Sequence, residues 1–271
     1  MKKNLTRTII LTLALSLLPA VFAGCGTAED ITTVKVGITG DLVEPWQVVS
    51  EKLKDQGVEI EVVEFADYVT PNKALNDGEI DLNAFQHYAF LDNEVLENGY
   101  EIQAIGETVL GPMRIFSDNL TSLDQIEAGG KIAVPNDVTN GGRALKLLET
   151  VGLIKVDEAA GYTPTLKDIT ENSLNLDIIE VDASTLASLL PDLSAAVINN
   201  NFALYAGLDP ETALFQEDAQ AVGGNPYINV IAARNEDADN EIYKKIVDAY
   251  RSDEVEEILI ETHGEVYVPM W

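Results

Sequence analysis

Short aliphatic runs alternate with segments of helical period along nearly the whole chain, and this alternation restricts the fold to layered α/β architectures. Residues 34–38 make a compact strand, residues 45–56 fit a helix, and residues 58–64 make a second strand. Strand, helix, strand in that order predicts a parallel α/β unit. A helix over 69–77 ends at the Asp77-Gly78 turn, 80–83 is a short strand, and 86–98 fits a helix stopped by Gly99. The strand-like run 102–109 then meets Gly111-Pro112, a first crossing between bodies.

A second body follows from Ile115. It has a helical turn at 123–126, a strand at 131–134, a helix at 142–151, strands at 176–181 and 195–198 separated by a helix at 183–190, and a helix at 201–206. Gly223-Gly224-Asn225-Pro226 punctuates the chain again, with a strand at 227–233 leaving it and helices at 240–250 and 253–262 packing back on the first body. Exit near 112 and return near 228 give two crossings, the connectivity of a hinged pair of lobes. The organisation expected is an export signal over 1–24, a tether over 25–32, first-lobe segments over 33–112 and 228–271, and a second lobe over 113–227.

The start of the chain is an export signal. Lys2, Lys3 and Arg7 precede a mostly aliphatic run over 9–18, too short for a dependable membrane span. Phe22-Ala23-Gly24-Cys25 looks like the processing box of bacterial lipoproteins, and Cys25, the single cysteine, is the expected lipid attachment point. The alternative is an ordinary signal cut near Ala23. One acyl chain anchors only marginally, so a stable anchor implies more than one. Removing the signal leaves about 247 residues, enough for one large or two medium domains with real cores.

With 17 basic and 46 acidic residues the chain carries a formal charge of −29, and about −32 once the three basic residues of the signal are gone. That field repels nucleic acid and argues against a polybasic membrane patch. No Gly-x-Gly-x-x-Gly, phosphate loop or Gly-x-Ser-x-Gly occurs, and two histidines without a Cys/His cluster give zinc chemistry little support. We therefore expect no enzyme activity, no cofactor and no metal.

The informative polar groups sit at loop ends beside aromatics. Phe85, His87 and Phe90 follow a strand, as does Tyr68, and the carboxyl ends of parallel strands are where ligands collect. For Phe85 and Phe90, core packing is the alternative. Arg143 falls in the first turn of the helix expected at 142–151, where the macrodipole disfavours a cation unless an anion lies nearby. A ligand carboxylate would answer that conflict; so would an internal ion pair. Asn140 suits either a helix cap or a ligand contact. Asn199 and Asn229 each offer a donor and an acceptor, with Asn200 and Asn201 offering similar chemistry beside the first.

Longer stretches carry a resemblance. Val-Glu-Phe-Ala-Asp-Tyr-Val-Thr-Pro-Asn at 63–72, Ala-Leu-Asn-Asp-Gly-Glu-Ile-Asp-Leu-Asn at 74–83, Phe-Gln-His at 85–87 and Gly-Lys-Ile-Ala-Val-Pro-Asn-Asp-Val-Thr-Asn-Gly-Gly-Arg-Ala-Leu at 130–145 are the main ones. With Leu-Lys-Asp-Ile-Thr-Glu-Asn at 166–172 and Ala-Ala-Val-Ile-Asn at 195–199, they make the chain similar to the NlpA-type methionine-binding lipoproteins that serve ABC importers. The resemblance implies a periplasmic-binding-protein-like (type II) α/β fold whose two lobes close over a methionine-like ligand. It implies a side-chain pocket of Tyr68, Phe85, His87 and Phe90, the last at a position usually tyrosine, and Arg143 and Asn140 on the amino-acid backbone. Asn199 and Asn229 match the remaining polar contacts. Tyr88-Ala89, often Lys-Pro in relatives, and Gly141, where glutamate is common, depart from the pattern.

The function implied is capture of L-methionine outside the cytoplasm by a lipid-anchored, monomeric binding protein, and delivery to a permease with a cytoplasmic ATPase. D-methionine, a related amino acid, a short methionine-containing peptide, or a surface lipoprotein without transport are the alternatives. On this assignment, alanine at 143 is expected to weaken ligand binding more than folding. The reading fails if Arg143 is locked to a protein carboxylate and bulky side chains fill the cleft.

Overall fold

In the computed structural model, residues 31–40, 42–218 and 226–271 are described; the export signal, Cys25 and Gly223-Gly224-Asn225 lie outside them. The chain opens with β1 (Thr32–Thr39), α1 (Glu44–Lys54) and β2 (Val58–Phe65), and β1 pairs in parallel with β2 from Thr32↔Val58 to Thr39↔Phe65. Val34, Val36 and Ile38 alternate inward along β1. Pro45 sits in the first turn of α1, and Trp46, Val49 and Leu53, at helical spacing, bury that helix's face. Burial of each aliphatic side chain stabilises by about 1.5–3 kcal/mol.

Next come α2 (Pro71–Asn76), β3 (Leu82–His87), α3 (Tyr88–Asn98) and β4 (Ile102–Glu107). The crossing holds β5 (Val109–Leu110) and leads into β6 (Arg114–Phe116). The second body continues through β7 (Lys131–Pro135), α4 (Val138–Thr150), the short pair β8 (Lys155–Val156) and β9 (Ile169–Glu171), β10 (Asp177–Val181), α5 (Leu186–Leu189), β11 (Ala195–Ile198), α6 (Asn200–Tyr205) and β12 (Phe215–Gln216). The return supplies β13 (Asn229–Arg234), α7 (Glu241–Tyr250), α8 (Asp253–His263) and β14 (Val268–Pro269).

Two five-stranded sheets result, ordered β2-β1-β3-β13-β4 and β10-β7-β11-β6-β12. Each has a parallel core interrupted by one strand antiparallel to its neighbours, β13 in the first and β6 in the second. These are the strands that each crossing delivers. Separate apolar clusters back the sheets, one around Trp46, Ile231 and Tyr250, another around Ile132, Leu145 and Val197. The architecture is the two-lobed, periplasmic-binding-protein-like α/β fold.

Several boundaries differ from the sequence expectation. Gln86 and His87 do not open a helix; they complete β3, paired with Val230 and Asn229 of β13. The second-body helix starts at Val138 rather than 142, because the Asp137 carboxylate accepts the Asn140 N–H at 2.8 Å and caps it there. Arg143 therefore lies in the second turn, outside the reach of the terminal dipole that the sequence argument invoked. The helix expected over 183–190 is mostly 3-10, with a single α turn, and β14 was not anticipated.

Candidate functional site

The carboxyl ends of β1, β3, β7 and β11 converge on one cavity. It encloses about 530 Å³, solvent at its mouth included, and its wall includes Tyr68, Phe85, His87, Phe90, Asn140, Arg143, Asn199 and Asn229. Every ligand-binding residue expected from sequence is thus on one wall system.

A bulge in β3 explains why Ala84, Phe85, Gln86 and His87, four consecutive residues, all reach the cavity. Asn83 pairs with Ala232 and Gln86 with Val230, so three steps on β3 oppose two on β13 and the strict in-out alternation is lost. Asn72, Asn83 and Gln86 pin the bulge through buried amide bonds of 2.6–3.0 Å. Tyr68, Phe85 and Phe90 then meet with ring centroids 5.7–5.9 Å apart, giving the aromatic side. Phe202, which sequence reasoning did not single out, backs Tyr68 at 4.7 Å.

Polarity along the other wall is fixed by groups that can play only one role. The Asp137 carboxylate only accepts, so Asn140 must offer it Nδ2, at 3.1 and 3.0 Å. Asn140 Oδ1 then accepts from Asn199 Nδ2 at 2.7 Å and faces His87 Nε2 at 3.2 Å. His87 Nδ1 accepts the Phe90 N–H at 3.1 Å, so the proton sits on Nε2 and points at Asn140. Burial, followed by the Arg143 charge, pulls the His87 pKa down to about 3. The imidazole is a neutral hydrogen-bonding fixture.

This chain of assignments leaves Asn199 Oδ1 buried with no donor. On the next residue, Asn200 Oδ1 accepts from Arg114 Nη1, and a guanidinium only donates, so Asn200 Nδ2 is left buried with no acceptor. Asn201 is satisfied on both sides: Oδ1 accepts from Tyr68 Oη at 2.6 Å and Nδ2 donates to Thr39 Oγ1 at 3.1 Å. Burial pushes the Tyr68 phenol up, keeping it a neutral donor. Asn229 sits opposite His87 in the ladder and shows the cavity a half-exposed amide. The contacts Tyr68–Asn201, Thr39–Asn201 and His87–Asn140 join residues of the first body to helices α6 and α4 of the second.

Arg143 is 4% exposed and is paired with Glu217, itself 6% exposed. Nε donates to both carboxylate oxygens at 2.9 and 3.1 Å, and Nη2 donates to Glu217 and to Gly111 O at 3.1 Å. The guanidinium also lies 4.4 Å from the Tyr227 ring centre, and burial pushes that phenol up to about 12. The internal ion pair left open as the alternative is therefore formed. Glu217 is not on the cavity wall, Nη1 carries no hydrogen bond among the described residues, and the cleft is not filled. Of the two conditions that together would defeat a binding role, one holds.

Gly141 and Gly142 serve close packing of α4. A Cβ on Gly142 would lie 2.7 Å from Thr163 Cα and 2.9 Å from Tyr162 O, both backbone atoms. An unobstructed helical glycine gains about 1 kcal/mol on becoming alanine. Here Gly142→Ala is expected to destabilise by about 1–3 kcal/mol, and a raised denaturation midpoint would contradict the packing argument.

Sequence reasoning missed Glu217, Arg114, Tyr227 and Tyr267. Tyr227 opens the strand expected at 227–233, two residues before Asn229, and could have been found there; Tyr267 lines the cavity with no local signal.

Comparison with known proteins agrees over nearly all the described chain. The pattern of the NlpA lipoprotein family matches residues 34–271. The D-methionine-binding lipoprotein MetQ of Escherichia coli (strain K12) is 43% identical over 240 residues, 86% of this chain and 87% of that protein. A nutrient-binding protein from Burkholderia cenocepacia, solved bound to methionine, superposes with a TM-score of 0.83 at 41% identity, covering 88% of this chain and 100% of the other. The substrate-binding protein of a methionine transporter from Streptococcus pneumoniae gives 0.83 at 39% identity, covering 88% and 96%. With family pattern, overall identity and two-sheet architecture in agreement, the chain belongs to the NlpA lipoprotein family.

Proposed function

We propose that the protein binds L-methionine outside the cytoplasm and delivers it to an ABC importer, anchored through lipid on Cys25. The observation that carries this reading is the mismatched pair on the cavity wall. Asn199 Oδ1 is a buried acceptor without a donor and Asn200 Nδ2 a buried donor without an acceptor. Leaving such groups unpaired costs about 1–3 kcal/mol each, and an amino acid brings both partners, an ammonium and a carboxylate. Arg143, whose Nη2 donates to Gly111 O, and Asn200, whose Nδ2 lies on the other side of Gly111, would share the carboxylate. A thioether chain suits the rings of Tyr68, Phe85 and Phe90, where each sulfur–aromatic contact contributes about 0.3–1.5 kcal/mol. Asn140 and His87 act by holding Asn199 in place, and Asn229 rims the site. Lobe movement about the crossings near 112 and 228 would open it.

The names of the curated relatives favour D-methionine as a second reading. Protein unfolded and refolded to strip ligand, then titrated with each enantiomer, is expected to bind L-methionine saturably and more tightly than D-methionine. No saturable binding of either rejects the function; tighter D-methionine binding rejects the stereochemistry. Mass spectrometry of the ligand released on purification separates a free amino acid from a methionine-containing peptide.

A further inference from the structure

Helix α6 belongs to the second body, yet three of its residues sit on the first. Asn201 is held from both sides by first-body groups, accepting from Tyr68 Oη at 2.6 Å and donating to Thr39 Oγ1 at 3.1 Å. The Phe202 ring centre lies 4.7 Å from that of Tyr68, and Leu204 packs against the first-body cluster around Trp46 and Tyr250. Both bonds of Asn201 join protein to protein, whereas Asn199 and Asn200 each keep a buried group awaiting a partner. The end of β1 is shaped to receive this turn of helix. Gly40, directly after Thr39, has a φ of +82°, where an L side chain is strained. A Cβ there would lie 2.8 Å from Asn201 Cβ and 3.2 Å from the Asn201 carbonyl oxygen, so a side chain at 40 and a seated α6 exclude each other. Each body has apolar clusters of its own, so the folding of either does not depend on these contacts, which exist only when the bodies are together.

We propose that Asn201, seated on Thr39, Gly40 and Tyr68, is the positioning residue of a ligand-independent clasp between the two bodies, and that it sets the affinity of the cavity without setting its choice of ligand. A ligand enters the open cleft, and the clasp forms as the bodies come together behind it. The free energy of the clasp is therefore added equally to every ligand that permits closure, and it slows release instead of speeding entry. Selectivity is left to the groups that face the ligand. This deepens the amino-acid-binding reading and rests on it.

The test titrates ligand-stripped wild type, Asn201→Ala, Thr39→Val and the double variant with the twenty amino acids, norleucine and methioninamide, and follows methionine binding and release by stopped flow. Asn201→Ala removes both bonds and should weaken methionine binding by about 5- to 100-fold, with norleucine and methioninamide weakened by the same factor to within about threefold. The loss should appear in the dissociation rate, with association within about threefold of wild type. Thr39→Val removes the acceptor and keeps the shape; it should cost about 3- to 10-fold alone and less than about twofold in the Asn201→Ala background. Should Asn201→Ala not fold, Thr39→Val is judged by the same uniformity and rate criteria. The proposal is overturned by a loss of less than about fivefold in Asn201→Ala, by losses that differ more than about threefold among the ligands, by a loss carried by association, or by a Thr39→Val effect as large in the double variant as alone. If wild type binds another amino acid instead of methionine, the functional reading falls and the clasp is judged on that acid and its amide. If no member of the panel binds, both fall.

Discussion

Replacing Arg143 with alanine is expected to destabilise the fold by about 3–5 kcal/mol, a large fraction of a typical domain's stability. The alanine leaves the Glu217 carboxylate buried, keeping one backbone partner, the Met113 N–H at 3.0 Å, but no cation. The sequence-based expectation places the larger loss on binding; the buried pair adds a loss of stability that the sequence, which named no carboxylate partner for Arg143, did not include. Replacing both residues together, Arg143→Met with Glu217→Met, should restore most of the stability, since apolar groups of similar volume substitute for a buried ion pair at little net cost. Denaturant unfolding of the single and double variants checks this. A single variant within about 1 kcal/mol of wild type would show that the pair is not coupled as its geometry requires. The double variant is the correct background for measuring what Arg143 does for ligand.

Acidification should weaken the protein through His87. Unfolded, this imidazole takes up a proton below its ordinary pKa of 6.5; folded, it refuses one until about pH 3. Its contribution is therefore complete above pH 6.5 and drains away as pH falls from there towards 3. At 1.36 kcal/mol per unit, passing from pH 7 to about 4.5 removes about 2–3 kcal/mol. His87→Asn keeps an acceptor for the Phe90 N–H and cannot titrate, so its stability should fall less over the same interval. Identical slopes for the two proteins, after allowance for the shared carboxylates, would mean that His87 is protonated in the folded state. The affinity for ligand is tied to the same residue, since a second proton on His87 would sit at Nδ1, where the helix cap is made.

What the sequence disclosed was local or periodic. The run Ala-Ala-Val-Ile at 195–198 coincides with β11, and the parallel pairing of β1 with β2 follows from the intervening helix. The aromatic and amide residues of the cavity were legible because each stands at or near a strand end or in the first turns of the helix that follows a strand. Chemistry between distant segments was not. Arg143 and Glu217 are 74 residues apart, Arg114 and Asn200 86, and neither Glu217 nor Arg114 lies in a pattern that marks it among so many charges. The bulge in β3 was hidden for a related reason: it depends on how β13 is registered against it, and β13 arrives about 140 residues later. Among Asn199, Asn200 and Asn201, only the direction of each amide, dictated by Asp137 and Arg114, separates two groups awaiting partners from one already served.

The final strand has a mechanical meaning. Val268 and Pro269 pair antiparallel with Leu110 and Val109, and the Met270 N–H donates to Thr108 O at 2.9 Å, so the tail is laced onto the first connection between the sheets. That joint is a two-ply ribbon instead of a bare thread. A two-stranded ribbon bends more readily across its thin dimension than within its plane, so a movement of the bodies about this joint would follow a clamshell stroke instead of a slide.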